Sequence, residues 1–176
     1  MYITSSSGKH FDPINPDKNL IDVADIAHSL SLICRANGHF KHFYSVASHS
    51  IACSIEAEKR GFDKKIQLAC LLHDASEAYL SDVTRPIKAL LDTYLKVEDK
   101  LQNTIWEKYL GKIPDEEDRK KIFGVDDDML SLEFLNLMPE KLGDRYKNIL
   151  SDVNFEFEQM ELTEKRFIER FNELTH

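Results

Sequence analysis

The chain predicts an all-α domain, a compact bundle of about seven or eight helices, and three observations carry that expectation. Only six glycines and five prolines punctuate 176 residues, which leaves few turns and favours long regular elements. Apolar residues recur at three- and four-residue spacing through most of the sequence. The stretch "NFEFEQMEL" alternates with period two, but it stands alone, and one strand cannot make a sheet.

The elements follow in order. Residues 1–19, with "SSSG" and "DPINP", read as irregular. From Asp22, the positions Val23, Ile26, Ala27, Leu30, Ile33 and Cys34 mark a helix that Gly38 is expected to stop. Ser45 is a good N-cap for a second helix, which ends at Gly61. Asp63 caps a third, expected to contain "IQLACLLHDASEAYL", a segment apolar nearly all round and therefore buried on several sides. Pro86 suits the first turn of a short helix. Tyr94, Val97, Leu101 and Ile105 then mark an amphipathic helix closing at Gly111. "PDEEDRKKIF" opens with proline and acids, as helix N-termini do, and Gly124 is expected to separate or kink it before "VDDDMLSLEFLNLM". The tail "TEKRFIERFNEL" is helical through Phe167, Phe171 and Leu174. No linker divides these elements, so residues 1–176 read as one domain. Its core is about 20–140, with an irregular N-terminal segment at 1–19 and a C-terminal extension at 141–176 that carries the terminal helix.

The net charge of -8 argues against a nucleic-acid polymer or an anionic membrane as partner, since both repel an acidic chain. No apolar run approaches the roughly 20 residues that span a bilayer, and "MYITSSSGKHFDP" lacks the apolar core of a secretion signal. Cys34, Cys53 and Cys70 form no CxxC pair. They read as small core hydrophobes in a reducing compartment, which makes the cytoplasm the expected location.

Chemistry concentrates in "LACLLHDASEAYLSD", Leu68 to Asp82. Burying ionisable groups among Leu, Ala and Cys is unfavourable unless each has a partner. On a helix His73 and Glu77 share a face, with Asp74 beside them, so a divalent cation just beyond that face would engage the imidazole and neutralise the carboxylate. Two ligands rarely make a strong site. His49, on the small-residue surface "SVASHSIACS", is the best further candidate. In "VDDDML", Asp126 lies on a line with Ile122, Leu130 and Phe134, which selects it over Asp127 and Asp128 as the fourth ligand.

His49, the His73–Asp74 pair and Asp126 together match the H…HD…D pattern of the HD-domain metal-dependent phosphohydrolases. "HDASEAYLSDVTRPIK" further resembles the corresponding segment of the bacterial HD-domain 5'-deoxynucleotidases and their phage relatives, some of which are deoxynucleoside triphosphohydrolases. The resemblance spans about residues 20–140. It implies that His49, His73, Asp74 and Asp126 hold one divalent metal (Mn, Co, Fe, Ni, Zn or Mg). It also implies that Glu77 orients or deprotonates the attacking water, that Asp82 lies near the sugar or scissile phosphate, and that Arg35 binds the substrate phosphate. Those deoxynucleotidases usually follow this arginine with a tryptophan that packs on the sugar, whereas Ala36, Asn37 and Gly38 follow here. The expected activity is a 5'-(deoxy)nucleotidase acting on monophosphates, in a homodimer or larger assembly. A deoxynucleoside triphosphate triphosphohydrolase is the alternative on the same site, and a nucleotide-binding module without turnover is the alternative of another class.

Other polar residues carry weaker signals. His28 reads as packing or a pocket wall. His39 and His42 flank a glycine-containing loop where exposure is the ordinary state, yet they stand close enough in sequence to Arg35 to help bind phosphate. Arg85 and Lys88 suit either a pocket or a solvated face, and Trp106 reads as helix packing or a dimer face.

Overall fold

The first nineteen residues, expected to be irregular, contain a small hairpin in the computed structural model, which describes residues 2–139 and 149–176. Strand β1 (Ile3–Thr4) pairs antiparallel with β2 (His10–Phe11), Ile3 opposite Phe11. Gly8, at φ +79°, makes the turn. The hairpin is pinned by Asp25 of helix α1 (Val23–Leu32), whose carboxylate accepts from Ser6 Oγ, Ser7 N–H and Ser7 Oγ. Phe11 is fully buried and packs 4.4 Å from the Tyr79 ring.

Eight α-helices follow among the described residues, so the expected all-α class holds. After α1 come α2 (Val46–Lys59), α3 (Lys64–Leu71), α4 (Glu77–Leu80), α5 (Arg85–Lys88), α6 (Asp92–Leu110), α7 (Glu116–Leu137) and α8 (Met160–Thr175). The side chains of Asp22, Ser45, Asp63 and Asp115 each accept a backbone N–H at the start of α1, α2, α3 and α7, contributing about 1 kcal/mol apiece. Helix α2 is the axis of the fold. It packs against α1, α3, α7 and α8, and its small residues Ala47, Ser50, Ala52, Ser54 and Ala57 are buried. The main core lies around Trp106, Phe167, Leu72 and Leu30; a second cluster of Cys53, Cys70, Ile122, Val125 and Met129 joins α2, α3 and α7. None of the described helices is long and apolar enough to cross a membrane.

Three boundaries differ from expectation. Helix α1 ends at Leu32, six residues before Gly38, because Ile33 turns extended and the chain doubles back. Arg35 N–H donates to Tyr44 O and Val46 N–H to Ile33 O, while Ala36 and Asn37 take positive φ in a short 3-10 turn. This return carries Arg35 into the interior. The third helix is broken rather than continuous: α3 stops at Leu71 and α4 starts at Glu77. In an unbroken helix Ser76 N–H would donate to Leu72 O. The Gln102 amide of α6 stands between them, accepting from Ser76 N–H (3.1 Å) and donating to Leu72 O (2.7 Å). Finally, Gly124 neither separates nor kinks α7, which runs 22 residues without interruption. A glycine inside a helix costs only about 1 kcal/mol, and the burial of Ile122, Val125 and Met129 on either side outweighs it.

The start of the C-terminal extension, 141–148, lies outside the described residues. Beyond it, α8 buries Phe167, Phe171 and Leu174 and packs against α1, α2 and α3.

Candidate functional site

The break between α3 and α4 places His73 and Asp74 in a turn, not on a helix face. From there they meet His49, in the first turn of α2, and Asp126, midway along α7. His49 Nε2 lies 3.2 Å from His73 Nε2, 3.1 Å from Asp126 Oδ1 and 3.8 Å from Asp74 Oδ2. His73 Nε2 lies 3.3 Å from Asp74 Oδ2 and 3.6 Å from Asp126 Oδ1. Four side chains from three parts of the fold therefore converge. The triplet DDD divides its work: Asp126 enters this cluster, Asp127 bonds to Arg85, and Asp128 bonds to Arg60.

The ring orientations are fixed from behind. His49 Nδ1 lies 2.6 Å from Glu133 Oε1, and His73 Nδ1 lies 2.7 Å from Cys70 O. A carboxylate and a carbonyl only accept, so both Nδ1 atoms carry the proton and both Nε2 atoms present lone pairs. Two lone pairs and two carboxylate oxygens facing one point repel unless a proton or a cation sits among them. The separations, 3.1–3.8 Å, bracket the roughly 3.3–3.6 Å edges of a tetrahedron of ligands about 2.0–2.2 Å from one divalent ion. The arrangement, with each Nδ1–H held by an oxygen, is the one that metal-ligating histidines adopt.

Electrostatics agree. Burial opposes ionisation of Asp74 and Asp126, yet the neighbouring imidazoles hold both carboxyls well below their ordinary range. Burial likewise disfavours a charged His73, but Asp74 and Asp126 push its pKa well above the ordinary value, and Glu133 with Asp126 raises that of His49. The cluster thus demands positive charge. Cys53 also approaches, its Sγ 3.5 Å from His49 Nε2, and with His49 and His73 it forms a buried group of possible ligands. Burial pushes the Cys53 thiol far up in the metal-free protein, whereas Asp74 and Asp126 are already held in their anionic form. The two histidines and two aspartates fit a divalent ion better.

Around the cluster opens a cavity of about 730 Å³, of the size that holds small ligands. Arg35, Glu77 and Asp82 line it, as do Arg85 and Lys88. Arg35 donates from Nε to Glu133 Oε2 (3.0 Å) and from Nη1 to Asp74 Oδ2 (3.5 Å). Glu77 is 4% exposed, and its Oε2 has no partner among the described residues. Burial first, then Asp74 and Asp82, push its pKa well above the usual carboxylate value. Asp82 is half-buried and raised too, chiefly by burial.

One reading needs correction. His39 is exposed at the end of the 3-10 turn and does not line the cavity; the turn that buries Arg35 carries the next residues outward. The line through Asp126, Leu130 and Phe134 faces the cavity, while Val125, Met129 and Leu132 face the core. Two residues that sequence reasoning overlooked support the site. Glu133 is fully buried and bonds both His49 and Arg35. It stands seven residues after Asp126, two turns along the same face, and that spacing is a usable signal. Gln102, which wedges open the α3–α4 break, has no such signal.

Comparison with known proteins matches residues 30–176 to the HD domain family, and the chain belongs to it. Members of this family are, as a rule, phosphohydrolases that bind a divalent metal. The chain is 46% identical over 110 residues to "Uncharacterized protein YfdR" of Escherichia coli (strain K12), covering 61% of this chain and 58% of that protein. A second uncharacterized protein, from Rhodobacter capsulatus, is 36% identical over 100 residues, 54% of this chain and 51% of its own. The chain spans a little over half the length of each of these curated relatives.

Proposed function

We propose that this chain hydrolyses the phosphate ester of a nucleotide at a single divalent ion held by His49, His73, Asp74 and Asp126, acting as a 5'-(deoxy)nucleotidase on (deoxy)nucleoside monophosphates. The observation that carries the reading is the convergence of those four side chains with both Nδ1–H groups already engaged. A bound ion supplies charge neutralisation at the phosphoryl oxygens and lowers the pKa of water. Arg35 offers the phosphate its planar fork; Glu133 fixes its Nε, and Nη2 has no protein partner among the described residues. Glu77 takes the proton of the attacking water on its unpartnered Oε2, and burial raises its basicity. Asp82, on the cavity wall, faces the sugar.

Charge pairing favours a monophosphate over a triphosphate. Arg85 bonds Asp126 and Asp127, and Lys88 lies 2.7 Å from Glu98 and 3.7 Å from Glu77. With Arg35 also paired, the cations beside the cluster leave little uncommitted positive charge for two further phosphoryl groups, and Arg119 stands about 10 Å further along α7. The test follows orthophosphate and tripolyphosphate released from dAMP and dATP by the purified chain across several divalent metals. Orthophosphate from dAMP supports the proposal, tripolyphosphate from dATP transfers it to the triphosphohydrolase, and turnover of neither removes both.

A further inference from the structure

The cavity extends well past the acidic cluster. On α7 it is lined by Arg119 and Phe123 as well as Asp126, and Arg119 precedes Asp126 by seven residues, about 10 Å along the helix axis. Across from them α6 contributes Leu95 and Trp106. Three features mark this end of the cavity. Trp106 is 1% exposed, and its indole N–H has no hydrogen-bond partner among the described residues; a buried donor left in this state awaits an acceptor. The Arg119 guanidinium stands 5.0 Å over the Trp106 ring, held by Pro114 O and Asn103 Oδ1, and its Nη1 reaches only Asp99 at 4.0 Å. Phe123, one turn beyond Arg119, remains 42% exposed although it walls the cavity.

We propose that this end of the cavity is a nucleobase subsite, in which Phe123 flanks the ring while Trp106 N–H and Arg119 donate to its acceptor edge. The assignment rests on the nucleotide reading above, with the phosphate at the cluster and the base one nucleoside length away. An aliphatic group would leave the indole N–H and the guanidinium unsatisfied, whereas a base offers both an apolar face and hydrogen-bond acceptors.

Trp106 is the single tryptophan of the chain, so its emission reports on this subsite without any turnover. The purified chain is titrated with deoxyadenosine and, separately, with deoxyribose 5-phosphate. Deoxyadenosine is expected to change the emission saturably and deoxyribose 5-phosphate to leave it unchanged. Phe123→Ala, a half-exposed position that the fold tolerates, is expected to weaken deoxyadenosine binding roughly 5- to 100-fold, the range of base–aromatic stacking. Arg119→Met is expected to weaken it as well, with circular dichroism confirming that both variants are folded. An emission indifferent to deoxyadenosine, or equal binding by both variants and the parent chain, overturns the subsite. Orthophosphate release from dAMP with no nucleoside binding would overturn the subsite alone, while nucleoside binding with no phosphate release would overturn the hydrolase reading alone.

Discussion

At the C-terminal end of α2, Glu56 is wholly buried and accepts from Arg60 Nε and from the backbone N–H groups of Leu150 and Ser151. At the start of α4, Glu77 is nearly as deeply buried, yet Oε2 is bare among the described residues and the nearest cation, Lys88 Nζ, is 3.7 Å from Oε1. Burial opposes ionisation at both positions. At Glu56 the donors overcome it and the pKa falls; at Glu77 two neighbouring acids reinforce it and the pKa rises well above the ordinary 4.5. A carboxylate saturated with donors serves the fold. One kept short of them, on a cavity wall, is the group the proposed reaction would use as its base.

The largest effect expected of a single change is at the cluster. Asp74→Asn removes an anionic member of the proposed metal site and should lower metal-dependent phosphate release on the order of 10³-fold or more, measured as kcat/KM in orthophosphate assays. Glu77→Gln sharpens the contrast directly. It should cost on the order of 10²-fold in kcat while raising the Tm of the metal-free protein at neutral pH. The folded chain holds the Glu77 proton above pH 4.5, where the unfolded chain has released it. Stability is therefore lost as pH rises from 4.5 towards the raised folded value, and Gln abolishes that loss. A lower Tm in Glu77→Gln would break the comparison.

Glu133→Gln comes next, with metal affinity weaker by about 10- to 100-fold, the usual price of removing a carboxylate behind a ligating histidine; isothermal titration with Mn²⁺ measures it. Glu56→Gln should act the other way from Glu77→Gln, destabilising the fold by about 1–3 kcal/mol with kcat unchanged. Glu56 has its pKa depressed, so its contribution is present above pH 4.5 and is lost as pH falls through the lower folded value. The smallest effect is expected at Arg85, whose side chain is 60% exposed. Arg85→Ala should change KM for dAMP less than about fivefold, as solvent-exposed ion pairs contribute about 0.2–1 kcal/mol.

Much of this was legible in the residues. Asp22, Ser45 and Asp63 announce helix starts because capping is local chemistry. The histidines and aspartates of the cluster could be picked out because polar groups inside apolar runs are conspicuous. The α3–α4 break was hidden because its cause, Gln102, lies 26 residues beyond Ser76 and acts through tertiary contact. Gly124 misled because a local preference of about 1 kcal/mol yields to packing along a whole helix face. His39 misled because nearness in sequence to Arg35 is undone by three successive residues with positive φ, Ala36, Asn37 and Gly38.

The central claim is that His49, His73, Asp74 and Asp126 share one divalent ion. Calorimetric titration of the chelator-treated chain with Mn²⁺ tests it most directly, beside His73→Ala and Asp126→Asn variants shown to be folded by circular dichroism. The account predicts one equivalent bound per chain and a marked loss of affinity in each variant; no stoichiometric binding, or binding unchanged in both variants, would contradict it.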